Sequence, residues 1–219
     1  MENIIVNNIK KILFPPRCPG CDGLLSPGSE RCFCPDCVDR VEKICDREYK
    51  KNLLCLYLYE GVMKKSMYRF KYSNRRSYIE TFLEVSEKET KEFIEKNRPE
   101  VVIPVPMYPP KKRKRGYNQA EVISSAISKR FSIPEDRDLL YRSRETKALK
   151  KMTPQERTNN LKNAFKIRGN SIKWKRILLV DDIYTTGATL SASATVLLNA
   201  GAEAVFSVCI CGSGRILGG

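Results

Sequence analysis

The sequence contains no histidine, and this absence excludes several kinds of catalytic site. A Ser-His-Asp or Cys-His relay needs an imidazole, and so does a zinc hydrolase built on paired histidines. Any metal site in this chain must therefore use thiolates and carboxylates as ligands.

Long apolar runs are also absent. No stretch approaches the roughly 18 apolar residues that a membrane-spanning helix needs, and the amino terminus lacks the apolar core and cleavage site of a signal peptide. The sequence therefore predicts a cytoplasmic protein with no transmembrane segment. In that reducing compartment, nine cysteines favour metal ligands and buried thiols over a disulfide framework.

The charged residues of this 219-residue chain are unevenly spread, although the total net charge is +15. Residues 98–176 hold 21 Lys and Arg against 7 Asp and Glu, whereas residues 1–97 are nearly balanced. A basic middle segment favours an anionic partner, either polyphosphate or nucleic acid.

Three segments follow one another along the chain. Residues 1–16 predict an amino-terminal helix, because apolar residues recur at helical spacing until Pro15-Pro16; it either packs against the protein or binds a membrane surface or partner. Residues 17–50 are cysteine-dense and too few to build a core unaided. Residues 51–219 predict a globular domain.

The globular domain has the pattern of an α/β fold with a largely parallel sheet. Strands are predicted at 54–58, 101–105, 177–180 and 204–209, and helices at 77–97, 118–131 and 187–199. The last strand, helix and strand form a βαβ unit, in which Gly201 ends the helix.

The cysteine-dense segment contains two C-x-x-C pairs, Cys18/Cys21 and Cys34/Cys37. Two such pairs supply the four thiolates of a tetrahedral zinc site, and a filled shell indicates a structural ion, not a catalytic one. Cys32 lies two residues before Cys34 and is an alternative ligand. The remaining cysteines are interpreted as buried thiols, namely Cys45, Cys55, Cys209 and Cys211.

The segment after the strand at 177–180 carries the most informative motif. Asp181 and Asp182 follow the strand directly, and a loop then opens a helix; its residues are Thr185, Thr186, Gly187, Ala188 and Thr189. Backbone N–H groups and hydroxyls of such a loop bind a monophosphate, and paired carboxylates accept hydrogen bonds from vicinal hydroxyls. The segment therefore suits a ribose 5-phosphate, and the absence of a Walker motif excludes a P-loop nucleoside triphosphatase.

This segment resembles the 5-phosphoribosyl 1-pyrophosphate (PRPP) signature of type I phosphoribosyltransferases, and the whole chain resembles the ComF-like family associated with bacterial competence. The other matching motifs are the cysteine pairs, Val105-Pro106 followed by Arg113-x-Arg115-Gly116-Tyr117-Asn118-Gln119-Ala120, and Glu156-Arg157-x-x-Asn160 before Ala164-Phe165. The resemblance implies a central, mostly parallel sheet with flanking helices and a mobile hood, preceded by a small zinc ribbon. It also implies a role in DNA uptake and natural transformation.

The resemblance further implies roles for individual residues. Asp181 and Asp182 would bind the ribose hydroxyls, and the threonines and Gly187 would surround the 5-phosphate. A Mg²⁺ ion would be held mainly by the pyrophosphate and ribose oxygens. The loop after Val105 would bind pyrophosphate, and residues 140–157 would form the hood.

Two positions depart from related sequences. Leu149 stands where many ComF-like chains carry a glutamine, so one hood contact is missing. Thr185 stands where purine transferases carry an aspartate that helps to deprotonate the base, which weakens a purine-salvage role. The loop offers no convincing general base.

Cations of the middle segment form two clusters, Lys111–Arg115 and Arg142–Arg157. Arg113, Arg115 and Arg144 are candidates to neutralise the departing pyrophosphate, with a solvated basic surface as the alternative. More cations are present than one pyrophosphate requires, so single-stranded DNA is a possible second ligand of this face. The aromatic residues considered for base stacking, with the core as the alternative, are Tyr68, Phe70, Tyr72 and Tyr117.

Three functional hypotheses remain open. The first is a Mg-dependent phosphoribosyltransferase with an unidentified acceptor. The second is a non-catalytic PRPP sensor that holds single-stranded DNA. The third is a scaffold that docks onto the DNA-uptake machinery through the zinc ribbon and the amino-terminal helix.

Overall fold

The computed structural model describes residues 15–26, 32–44, 52–143 and 164–213. The predicted amino-terminal helix, Arg144 and most of the predicted hood lie outside these ranges. None of the helices in the described ranges is long and apolar enough to cross a membrane.

A four-stranded parallel sheet forms the centre of the main domain, with the strand order β1-β6-β5-β2. A short antiparallel pair, β3 and β4, lies apart from it. The strands are β1 Leu53–Leu58, β2 Val101–Pro104, β3 Leu140–Arg142, β4 Phe165–Ile167, β5 Arg176–Tyr184 and β6 Ala204–Gly212. The predicted parallel α/β architecture is thus confirmed.

Helices cover both faces of the sheet. They are α1 Pro35–Val38, α2 Gly61–Tyr72, α3 Tyr78–Val85, α4 Glu87–Asn97, α5 Pro109–Arg115, α6 Gln119–Phe131 and α7 Ala188–Asn199. One apolar cluster joins the sheet to α2, α3, α6 and the cysteine-rich segment, and a second joins the other face to α7 and the β3–β4 pair. Because both faces are covered, Ile177–Val180 at the centre of β5 are fully buried.

The cysteine-rich segment packs directly onto the main domain. Cys18, Leu25, Phe33 and Cys37 belong to the same buried cluster as α2 and α3. The Phe33 ring stacks on that of Phe82, with 6.3 Å between their centroids. This small segment therefore gains its apolar core from its neighbour, as its length requires.

Two predicted elements differ from the structure. The single helix predicted over 77–97 is two helices, because Ser86 leaves the helical conformation (φ −117°, ψ 26°) and its hydroxyl bonds the Phe82 carbonyl at 2.7 Å. The basic run predicted as a loop forms α5, which begins at Pro109, ends at Gly116 and buries none of its residues.

Candidate functional site

The four thiols of the two C-x-x-C pairs converge on one point. The Sγ atoms of Cys18, Cys21, Cys34 and Cys37 all lie within 4.8 Å of one another, and those of Cys21 and Cys34 are 3.8 Å apart. A tetrahedral site with Zn–S bonds of about 2.3 Å separates its sulfurs by about 3.8 Å, so the spacing fits zinc. Cys34 completes the cluster, whereas Cys32 stays outside it.

The electrostatics of the cluster also suit a cation. Burial and the neighbouring thiols raise the pKa of Cys37 to about 12. Burial opposes ionisation of Cys18 as well, but N–H groups of Cys34, Cys21 and Gly20 lower its pKa, and the Cys34 N–H bonds its sulfur at 3.2 Å. Four thiolates this close repel one another unless a metal ion lies between them. The cluster can therefore hold a zinc ion.

The acidic pair lies within β5, which continues four residues beyond the predicted end at Val180. Parallel pairing with β6 continues from Asp181 opposite Cys209 to Tyr184 opposite Gly212. Burial, followed by the neighbouring charge of Asp182, raises the pKa of Asp181 to about 7. The Asp182 N–H donates to Asp181 Oδ1 at 2.9 Å and opposes this rise. The two carboxylates thus lie side by side, partly buried, at the carboxyl edge of the sheet, where α/β proteins bind ligands.

Two cations act on the acidic pair. Lys71 Nζ lies 2.8 Å from Asp182 Oδ2, and the two side chains are 19% and 14% exposed. Burial alone would lower the pKa of Lys71, but the charges of Asp182 and Asp181 raise it. The charge of Arg142 on β3 also lowers the pKa of Asp181. The site therefore balances two carboxylates against two cations from distant parts of the chain.

Lys71 is the functional residue that sequence reasoning missed. It lies in a helix far from the PRPP signature, and no local motif marks it. Its position in the fold is what could have identified it. Lys71 lies in the helix that follows β1, and the carboxyl end of β1 lies at the same sheet edge as Asp182. A charged residue at the carboxyl end of the helix that follows β1 is a candidate partner for the acids.

The predicted phosphate loop follows β5. Gly187 caps α7 with φ +74°, and a Cβ at this position would lie 2.6 Å from Tyr184 Oη. Only glycine satisfies both constraints, because L side chains rarely adopt this φ and no room exists for one. Thr185 and Thr186 are exposed, and the first turn of α7 directs N–H groups without intrahelical partners toward them. These exposed hydroxyls and N–H groups follow the acidic pair directly in the chain.

The residues that follow α5, Tyr117, Asn118 and Gln119, connect that helix to the end of β2. The Asn118 side chain caps α6 by accepting from Ala120 N, and it donates to the Val105 carbonyl at 2.9 Å. Arg115 donates to Gln119 Oε1 at 2.7 Å and to Tyr72 Oη at 3.3 Å. Asn118 thus fixes the end of β2 against α6, and Arg115 faces α2.

Arg113 and Arg115, the two cations predicted on α5, differ in burial and contacts. Arg115 is half-buried, and its charge acts on Tyr117, whose pKa also responds to Asp182. Arg113 is exposed on α5 and makes no hydrogen bond or ion pair within the described ranges. Arg115 is therefore the more buried of the two arginines.

The aromatic residues proposed for base stacking divide into two groups. Phe70 is fully buried and Tyr117 is 7% exposed, so the core alternative holds for both rings. Tyr68 and Tyr72 are 62% and 61% exposed, with ring centroids 4.9 Å apart. Arg115 lies over the Tyr72 ring at 5.0 Å.

Comparisons with known proteins agree with this geometry. Residues 117–215 match the family model described as a phosphoribosyl transferase domain. The chain is 33% identical to competence protein F of Haemophilus influenzae over 142 residues, which are 63% of this chain and 62% of that one. It is 29% identical to competence protein ComFC of Bacillus subtilis over 191 residues, covering 87% of this chain and 75% of that one. It is 31% identical to the DNA utilization protein YhgH of Escherichia coli over 113 residues, covering 52% and 49%.

The parallel sheet and the match over residues 117–215 therefore define a domain of the phosphoribosyltransferase type. The three relatives narrow this similarity. The chain is similar to competence proteins of the ComF-like kind. It spans less than two thirds of the length of the Haemophilus relative and about half of the Escherichia one.

Proposed function

We propose that the protein binds Mg·PRPP and transfers its phosphoribosyl group to an acceptor. One observation carries this proposal: Asp181 and Asp182 lie beside the glycine-capped amino end of α7, at the carboxyl edge of a parallel sheet. The acids suit the two ribose hydroxyls, and the loop suits the 5-phosphate.

The roles within this site follow from position. Asp181 and Asp182 accept from the 2′- and 3′-hydroxyls. Backbone N–H groups and hydroxyls of the phosphate loop bind the 5-phosphate; these residues are Thr185, Thr186, Gly187, Ala188 and Thr189. Arg115, Arg142 and Arg144 supply positive charge for the pyrophosphate, with Arg113 as a peripheral contributor.

A magnesium ion accompanies PRPP in this proposal. Mg²⁺ prefers oxygen ligands and keeps few protein contacts, and the carboxylates of Asp181 and Asp182 are the protein oxygens at hand. When bound, the ion neutralises pyrophosphate charge. The protein itself orients the ribose and its phosphates.

The transfer is a substitution at the anomeric carbon. The bond between C1 and the pyrophosphate oxygen breaks, and pyrophosphate departs with the electron pair. A lone pair of the acceptor forms the new bond to C1, and the acceptor then releases its proton to water. Fixed cations stabilise the negative charge that develops on the departing pyrophosphate in the oxocarbenium-like transition state.

Pyrophosphate release tests the transfer. The assay incubates three proteins with Mg·PRPP and a panel of nitrogenous bases and amines: wild type, Asp182→Asn and the control Glu203→Gln. Glu203 is an exposed acid that directly precedes β6, at the edge of the sheet opposite to the acidic pair. We expect one acceptor class to release pyrophosphate with wild type and Glu203→Gln, and at least about tenfold less with Asp182→Asn. PRPP binding without release for any acceptor would indicate the sensor instead.

A specific observation also favours a second function, the binding of single-stranded DNA. The exposed Tyr68–Tyr72 pair lies beside Arg115 and the basic helix α5, which combines stacking rings with phosphate-binding cations. The names of the relatives, two competence proteins and a DNA utilization protein, agree with such a ligand. We propose that this face holds DNA strands during uptake and natural transformation.

The cysteine cluster holds a structural zinc ion in this proposal. All four coordination positions are filled by protein, which leaves none for substrate or water. Because thiolate ligands persist in a reducing compartment, we place the protein in the cytoplasm.

A further inference from the structure

One helix contacts both the cysteine cluster and the acidic pair. Helix α2 packs against the turn between Cys18 and Cys21 and also carries Lys71. We propose that α2 couples the cysteine cluster to the ribose site, with Lys71 as the positioning residue at the ribose end. This inference rests on the proposed binding of PRPP.

The contacts at the cysteine end are specific. The buried Ser66 hydroxyl donates to the Pro19 carbonyl at 2.6 Å, and Arg69 donates to the Gly20 carbonyl at 2.9 Å. A Cβ on Gly20 would lie 2.7 Å from Cys37 Sγ and 2.9 Å from Val62 Cγ1. The turn thus packs tightly between Cys37 Sγ and α2. A zinc ion that fixes the turn would therefore also fix the helix.

A second contact follows the carboxyl end of α2. Asp22, directly after Cys21, accepts from Arg75 Nη2 at 2.8 Å and from the Tyr78 hydroxyl. The cysteine turn therefore fixes both α2 and the segment that leaves it.

At the ribose end, Lys71 lies two residues after Arg69 on the same helix. Its ammonium is 2.8 Å from Asp182 Oδ2, and both side chains are largely buried. A helix transmits displacement along its axis because backbone hydrogen bonds join its successive turns. A shift of about 1 Å at the cysteine end would lengthen the Lys71–Asp182 pair beyond hydrogen-bond distance.

The pair matters for ligand binding because PRPP is a polyanion. Two adjacent carboxylates repel its phosphates, and Lys71 offsets one of these charges while leaving the carboxylate oxygens near the ribose. Loss of the cysteine turn would move Lys71, restore the repulsion and weaken PRPP binding. A zinc ion at the cysteine cluster would thus strengthen PRPP binding at the ribose site without contacting that site.

A thermodynamic cycle tests this coupling in the full chain. Calorimetry gives the dissociation constant of Mg·PRPP for four proteins: wild type, Ser66→Ala/Arg69→Met, Lys71→Met and the combined variant, with zinc content measured in each. We expect the first variant to lose about fivefold in affinity and Lys71→Met about tenfold. The combined variant should bind no more weakly than Lys71→Met alone, since both changes act through one pair. The control Lys64→Met, an exposed lysine of the same helix, should stay within about twofold of wild type.

Two affinity results would overturn the coupling. Either the losses of Mg·PRPP affinity multiply in the combined variant, or Ser66→Ala/Arg69→Met binds Mg·PRPP with wild-type affinity. Hydrogen exchange adds a measurement that needs no PRPP. Amides 66–72 should exchange about tenfold faster in Ser66→Ala/Arg69→Met, whereas those of α6 should not change. Absence of PRPP binding by wild type would refute the proposed function, and unchanged exchange in α2 would refute the coupling.

Discussion

The ammonium of Lys71 lies 2.8 Å from Asp182 Oδ2, although the two residues are far apart in the sequence. This ion pair is largely buried and stands beside a second carboxylate, Asp181. One cation therefore compensates Asp182 directly, whereas burial and the charge of Asp182 oppose the ionisation of Asp181.

The first prediction concerns the pH dependence of stability. Because burial and Asp182 raise the pKa of Asp181 from 3.8 to about 7, the folded protein retains a proton that the unfolded chain releases between these values. The Asp181 contribution to the free energy of unfolding therefore falls as the pH rises from about 4 to 7 and levels off above 7. Asp181→Asn should remove this loss and be about 2 kcal/mol more stable than wild type at pH 8, with no gain at pH 4.

Urea unfolding of both proteins at several pH values measures this difference. Glu203→Gln, which removes an exposed acid paired with Lys175 and remote from Asp181, is the control for the loss of one carboxylate. Parallel pH profiles for Asp181→Asn and wild type would show that Asp181 ionises normally in the folded protein.

The second prediction concerns the glycine of the phosphate loop. Gly187→Ala places a Cβ 2.6 Å from Tyr184 Oη at a residue with φ +74°, so the loop must move. We expect Mg·PRPP to bind at least about tenfold more weakly.

Gly201→Ala is the matched control for that variant. It carries the same kind of backbone strain, with φ +112°, but nothing lies within 4 Å of the new Cβ and it follows the opposite end of α7. Both variants should lose about 1 kcal/mol of stability, whereas only Gly187→Ala should lose affinity. Equal Mg·PRPP affinities of the two variants, measured by calorimetry, would show that the loop is not part of the binding site.

Much of this site could be predicted from the sequence, because its parts are local in the chain. Asp181, Asp182 and the phosphate loop belong to one strand–loop–helix unit, and the apolar run at 177–180 identifies a buried parallel strand. The two C-x-x-C pairs likewise identify the cysteine cluster, and the structure decides only between Cys32 and Cys34.

The remaining features depend on tertiary contacts. Lys71 reaches Asp182 only through the pairing of β1 with β6, which no local pattern encodes. Phe70 and Tyr72 have similar sequence surroundings, yet helical geometry turns the first into the core and the second to the surface. The helix break at Ser86 depends on a side-chain hydrogen bond that propensities do not show.

The third prediction concerns the metal. Gly20→Ala would force a Cβ to 2.7 Å from Cys37 Sγ, so the turn must open and zinc affinity should fall about tenfold. Gly23→Ala is the control, since its nearest neighbour, Cys21 Sγ, lies 3.3 Å away on a more exposed side chain. Competition with a chromogenic chelator measures both affinities, and equal zinc affinities would contradict the close packing of this turn.

The fourth prediction concerns single-stranded DNA. Because the Tyr68 ring is exposed and its centroid lies 4.9 Å from that of Tyr72, Tyr68→Ala should weaken binding of an oligothymidine about tenfold, and Tyr68→Phe should preserve it. Arg113→Ala should reduce the slope of log affinity against log salt by about 0.7, whereas Lys88→Ala on α4 should not. Fluorescence anisotropy at several salt concentrations provides the measurement, and equal affinity of the Ala and Phe variants would exclude stacking by this ring.

The most direct test of the account is a calorimetric titration of wild type, Asp181→Ala/Asp182→Ala and Glu203→Gln with PRPP, with and without Mg²⁺. We expect magnesium-dependent binding by wild type and Glu203→Gln that is lost in the double variant, because the carboxylates hold the ribose hydroxyls. Absence of binding by folded wild-type protein that retains its zinc, or unchanged binding by the double variant, would contradict the assignment of this site to PRPP.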